Sequence, residues 1–402
     1  MTEVERVEAQ PPAARFESVD LLRGLSILAV VLLHSWLRFF LNDVHVGTRL
    51  PRWLAQLLLR NGGNGVTIFF AISGFLITLT SLRRFGSLSR MQLGRFYRIR
   101  FARIAPLLLL LLTVLCLLHW AALYSHAFAP WHVKKNIGLP RALFSALTFH
   151  LNWLEAKAGY LPANWDVLWS LSVEEMFYLF FPLACVAFVG RRSPLRKVGW
   201  PLLFLLAGVL LVLGPWARSV WITTDIGREK SYLGGMNAIA MGCLAALLCD
   251  RLAHTRQLAR RWTFVAEAAG WVLIAWMATW PRWAWLHGAS QFLGRTDLDD
   301  TLLPLAVCLV MVATVLRGSS GGGWLTAPLR WFGRHSYEVY LTHEFLVLLG
   351  VIAFLRWHGT HPAFWVAGIT LSTAPLGWAV AHYFSEPMNR RLRGPSPTKP
   401  RS

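Results

Sequence analysis

Arg23 and His34 stand eleven residues apart in an otherwise apolar run, Asp20-Leu-Leu-Arg23-Gly-Leu-Ser-Ile-Leu-Ala-Val-Val-Leu-Leu-His34. In a helix, eleven residues make almost three turns and about 16 Å, so both side chains project from one face. A cation at one level and an imidazole deeper on the same stripe suit anion binding followed by proton transfer, because imidazole accepts a proton near neutral pH. The plainer alternative is a histidine hydrogen-bonded to a neighbouring helix. A second polar stretch, Trp169-Ser-Leu-Ser-Val-Glu174-Glu175, carries adjacent carboxylates. Their side chains point about 100° apart on a helix and therefore serve different neighbours. One could orient a histidine or be held by an arginine; a structural ion pair is the alternative. A third, Arg334-His335-Ser-Tyr337-Glu338-Val-Tyr340-Leu-Thr-His343-Glu344, brings another histidine to a depth close to that of His34. For His343, packing or hydrogen bonding is the simpler role.

Two further stretches could meet a ligand. The run Arg95-Phe-Tyr-Arg98-Ile-Arg100-Phe-Ala-Arg103-Ile-Ala-Pro106 is a basic cluster that the proline is expected to end. Arginine grips phosphate bidentately, although the same charges also set membrane orientation. The glycines of Asn61-Gly-Gly-Asn-Gly65 permit close backbone approach, to another helix or to a ligand.

The elements that must position these groups are membrane helices. The 402 residues are 55% hydrophobic and only 15% charged, and the mean hydropathy is +0.45. Apolar runs of bilayer-spanning length recur along the whole chain. Ten are expected, near 22–41, 65–82, 104–123, 166–189, 199–217, 232–249, 263–280, 301–316, 334–355 and 363–384. The runs from 65 and 301 are short, which predicts tilt or burial there. The 21 tryptophans fit many lipid–water boundaries. The fold class is therefore all-α, a polytopic membrane bundle of about ten spans. It divides into a tail (1–21), a transmembrane domain (22–384) and a basic C-terminal tail (385–402), the last expected to be disordered. With the N-terminus in the cytoplasm, the inner regions collect 25 basic residues and the outer ones 14, with Arg23 completing the 40. Both termini are expected inside. The net charge of +20 lies in short clusters between spans, so anionic lipid explains it better than nucleic acid. The five cysteines lack metal-ligand spacing, no metal is implied, and they read as small core residues. The first apolar run lacks a small-residue cleavage site and reads as a retained span.

Taken together, the motifs resemble the acyltransferase-3 family of membrane O-acyltransferases, from about residue 18 to 393. Arg23 and His34 are similar to the family's Arg-x10-His motif. GVTIFFAISGFLIT (65–78) is similar to its second-span signature, and FYRIRFARIAP (96–106) resembles its FYxRRxxRIxP stretch. Arg100 and Arg103 stand in register there, while Ile99 takes a place where arginine is common, so Arg98 is the expected substitute. WSLSVEEMFYLFFP (169–182), GRHSYEVYLTH (333–343) and SEPMNRRL (385–392) match the remaining blocks in order.

The resemblance implies acyl transfer from acetyl-CoA to a hydroxyl of a polysaccharide, lipopolysaccharide or glycolipid acceptor, in the inner (plasma) membrane. It implies Arg23, Arg100 and Arg103 on the CoA phosphates. His34 would be the general base or brief acyl carrier, and Glu174 or Glu175 would orient it or stabilise its charged form. Some members carry an extracytoplasmic hydrolase-like domain. The sequence ends just after the tenth expected span, so any such step is expected in the bundle or on a partner. The competing class is a transporter or flippase whose polar groups line a substrate path. No internal repeat or pair of broken helices supports it.

Overall fold

The computed structural model describes residues 16–124, 133, 136–255, 260–279, 299–318 and 322–394. The expected tails up to residue 15 and beyond 394, and most of the outer loop 281–300, lie outside the described residues. Among them the chain is helical, with no strand and ten helices long and apolar enough to cross a membrane. The fifteen helices used below are α1 (Glu17–Phe40), α2 (Gly62–Phe85), α3 (Leu93–Tyr124), α4 (Leu139–Leu147), α5 (Leu151–Ala158), α6 (Leu168–Val189), α7 (Gly199–Trp216), α8 (Asp225–Lys230), α9 (Tyr232–Thr255), α10 (Arg260–Thr279), α11 (Asp299–Arg317), α12 (Ala327–Arg334), α13 (Ser336–Arg356), α14 (Pro362–Val380) and α15 (Glu386–Arg393).

The outside of the bundle is apolar. Val212 on α7, Val272 on α10 and Leu371 on α14 are each 69% exposed. Such surface is tolerable only against lipid. Polar side chains turn inward instead. α1 lies at the centre, packed against α2, α12 and α13 and touching α11 and α14. Two glycines make this closeness possible. A Cβ at Gly24 would overlap the Leu329 carbonyl of α12, and one at Gly65 would press on the Ser26 carbonyl of α1. The glycine-rich entry to α2 therefore serves helix packing.

All ten expected spans are present, with two corrections. The arginine run expected in a loop before 104 is helical, because α3 starts at Leu93 and Pro106 lies inside it. Proline removes one ladder donor, and the neighbouring helices of a membrane bundle tolerate that loss. Arg95, Arg98, Arg100 and Arg103 consequently stand at fixed angles on one helix. Second, residues 385–393 are not a free tail. Pro387 in the first turn starts α15, an exposed Glu386–Arg390 pair at 3.1 Å lies along it, and the helix packs against α3. The fourth span, expected from near 166, starts at Ala163 with a short turn of helix.

At the end of the bundle opposite the arginines, α5, α8 and the segment leading into α6 form a polar crown. Lys230 is 1% exposed and bonds Glu155 Oε2 at 2.7 Å, with Asp166 Oδ1 as its second partner. Burial, then the nearby Asp166, pushes the Glu155 carboxyl well above its ordinary range, and Lys230 pulls it back. Burial also pushes the Tyr160 phenol up to about 12, so it stays protonated and donates to Glu229 Oε2 at 3.2 Å.

Candidate active site

Two polar sites share the face of α1. The first surrounds His34. Its Nδ1 lies 2.7 Å from Glu344 Oε1 and 2.9 Å from His343 Nε2, both on α13. His343 Nδ1 lies 2.7 Å from the Tyr340 carbonyl. A carbonyl only accepts, so His343 Nδ1 carries the proton and a neutral His343 presents Nε2 as an acceptor. His34 Nδ1–H is then the shared donor, which in the neutral ring is the tautomer that leaves Nε2 as an acceptor. Among the described residues nothing bonds that Nε2. His343 and Glu344 are 0% and 1% exposed, while the His34 side chain keeps 17%. Arg38, one turn further along α1, lies 3.4 Å from the same Glu344 oxygen. Glu344 Oε2 has no partner among the described residues. This is a carboxylate–imidazole pair with one nitrogen open, the arrangement that serves a general base or nucleophile.

His34, His343 and Glu344 also offer three ligand atoms within 4.8 Å of one another. Two nitrogens on one tetrahedral zinc at about 2.05 Å would stand roughly 3.3 Å apart. The separations of 2.7 and 2.9 Å are those of direct hydrogen bonds. The set reads as a proton-sharing chain.

The second site is a cavity of about 490 Å³ that opens at the arginine-rich end. Six arginines line it, Arg23, Arg84, Arg100, Arg103, Arg334 and Arg393, against the carboxylates of Glu174 and Glu386. Arg23 donates to Ser336 Oγ at 2.8 Å. Arg103 lies 3.0 Å from Glu338 Oε1, which also accepts from Ser385 Oγ at 2.7 Å. The Arg100 guanidinium sits 4.1 Å over the Tyr178 ring, and the Tyr178 hydroxyl bonds Ser73. Such an excess of fixed guanidinium groups calls for a polyanion.

The sequence-predicted residues therefore fall into two groups. Arg23, Arg100, Arg103 and Glu174 line the cavity together. Arg98 does not join them; Ile99 occupies the wall instead. Glu174 and Glu175 do not meet His34, whose carboxylate is Glu344. Glu174 lies eleven residues into the fourth span and lines the cavity beside Arg23 and Arg100. Glu175 Oε1 is buried without a hydrogen bond among the described residues. Glu344 was legible only as the neighbour of a histidine already placed at the depth of His34. Arg84, Arg334 and Arg393 are charges that orientation alone would explain in sequence, and packing puts them on the cavity wall.

No solved structure matches the chain. It is 27% identical over 348 residues to the peptidoglycan O-acetyltransferase OatA of Listeria monocytogenes, covering 83% of this chain and 49% of that protein. It is 23% identical over 359 residues to the O-acetyltransferase OatA of Staphylococcus aureus, covering 84% and 52%. The putative peptidoglycan O-acetyltransferase YrhL of Bacillus subtilis is 26% identical over 316 residues, 72% and 45% covered. The chain thus spans about half the length of the curated relatives it matches. The family model described as an acyltransferase domain matches residues 16–382, so a chain built around the Arg23–His34 stripe and its arginine-lined cavity belongs to the acyltransferase-3 family.

Proposed function

We propose that the chain moves an acetyl group from acetyl-CoA to a hydroxyl of a cell-wall glycan at the plasma membrane. One observation carries the reading. His34, paired with Glu344, also meets His343, which follows the cavity-lining Tyr340 by one turn of α13. CoA phosphates sit among the arginines, and the thioester points up α2 toward His34. His34 Nε2 takes the proton of the acceptor hydroxyl as that oxygen attacks the thioester carbonyl. The resulting imidazolium is stabilised by the Glu344 carboxylate. The tetrahedral intermediate breaks at the C–S bond, and the departing thiolate takes the proton from His34. The products are the acetyl ester and CoA, with His34 restored. The glycan approaches from the polar crown, the end opposite the arginines. The relatives' names supply the acceptor class, peptidoglycan.

The test uses the full chain purified in detergent with acetyl-CoA and soluble peptidoglycan fragments. Free CoA and ester-linked acetyl on the glycan should appear together and vanish in His34→Ala. Glycan transport without CoA release would sink the reading in favour of a flippase.

A further inference from the structure

The donor cavity stops short of the histidines. Along α2 it runs from Arg84 to Val66, eighteen residues or about 27 Å. Along α13 it includes Ser336, Tyr337, Tyr340 and Leu341, but neither His343 nor His34 lines it. The wall at that end is aromatic. Phe69 and Tyr340 meet edge to face with centroids 6.3 Å apart, and Phe70 beside them packs on Trp169 at 6.0 Å. Tyr340 is held rigidly. Its hydroxyl donates to the Val167 carbonyl at 3.1 Å and pairs with Ser170 Oγ at 2.7 Å. On its other side the Tyr340 ring lies 5.9 Å from the His343 ring, and its carbonyl accepts from His343 Nδ1. One residue thus touches both the cavity and the histidine pair.

We propose that Tyr340 and Phe69 form a partition across the inner end of the donor cavity and set the acyl chain length, admitting acetyl to His34 and rejecting longer acyl groups. The inference rests on the acyl-transfer reading above. From Tyr340, the residue of the proposed partition on α13, to His343 is three residues, about 4.5 Å along the axis. A thioester carbonyl and one methyl fit that interval; each added methylene must displace a pinned phenol or the Phe69 ring that meets it. Close-packed walls do not yield smoothly, so rejection should be steep.

The test compares acetyl-, propionyl-, butyryl- and hexanoyl-CoA as donors for the full chain, with soluble peptidoglycan fragments as acceptor. CoA release and product mass give kcat/KM for each. Wild type should favour acetyl over butyryl by about 10-fold or more, since each of butyryl's two extra methylenes can supply that much discrimination when excluded. Phe69→Ala and Tyr340→Ala should each shrink that ratio at least about tenfold by gaining butyryl transfer, and Tyr340→Phe, which keeps the ring but loses the bonds that pin it, should shrink it less than Tyr340→Ala. Thermal stabilisation by CoA checks that each variant retains the cavity; should Tyr340→Ala fail to fold, Phe69→Ala carries the test alone. Equal use of acetyl and butyryl by wild type, or a wild-type ratio in the folded alanine variants, overturns the partition. No acyl transfer from any thioester overturns the acyl-transfer reading itself, a different result from transfer without preference.

Discussion

Of the two nitrogens on the His34 ring, Nδ1 is committed to Glu344 and His343, and Nε2 is left open. Glu344→Gln keeps the shape and removes the charge that steadies a protonated ring. We expect it to lower kcat roughly 10²–10⁴-fold while CoA binding stays near wild type. Glu174→Gln should act differently, altering the affinity for donor, since Glu174 lies among the arginines. A kcat loss confined to the Glu174 and Glu175 variants would return the orienting role to α6. Because the three ligand atoms share protons directly, treatment with a chelator should leave turnover unchanged. Loss of activity in EDTA, restored by zinc, would mean the cluster holds an ion.

At the scale of the element, α3 and the crown make separate predictions. α3 carries Arg100 and Arg103 as fixed points on one helix. Arg100→Ala removes one charge-assisted contact and should weaken CoA binding by about 1.5–3 kcal/mol, measured by calorimetry. Arg103→Ala does this too but also leaves the buried Glu338 with Ser385 and no cation, so its melting temperature should fall as well. An unchanged CoA affinity in both variants would mean that these arginines only set topology. In the crown, Lys230→Ala leaves Glu155 and Asp166 facing each other without a cation. Breaking such a buried pair costs about 3–5 kcal/mol, and a clear drop in thermal stability is expected. The same change in an exposed pair such as Glu386–Arg390 should cost under about 1 kcal/mol.

For the whole molecule, the arginine-rich end of the bundle should face the cytoplasm, where CoA is made available and where basic residues are retained. A reporter active only outside the cytoplasm, fused after Ser402, should be silent; a strong signal would reverse the orientation of both sites. The sequence by itself determined ten helices, their approximate limits, the arginine-rich face and the pairing of Arg23 and His34 on one stripe. Each of these follows from local composition or from the helical repeat within a single segment. Tertiary structure decided which carboxylate meets His34, that residues 385–393 close over the cavity, and that Tyr340 divides it from the histidines. His34 and His343 are 309 residues apart in the chain. Their contact depends on how two helices are rotated and how deeply each sits, and close approaches such as Gly24 of α1 against Leu329 of α12 help to hold α1 in place. Hydropathy reports whether a segment enters the bilayer; packing between segments decides which of its faces looks at which neighbour.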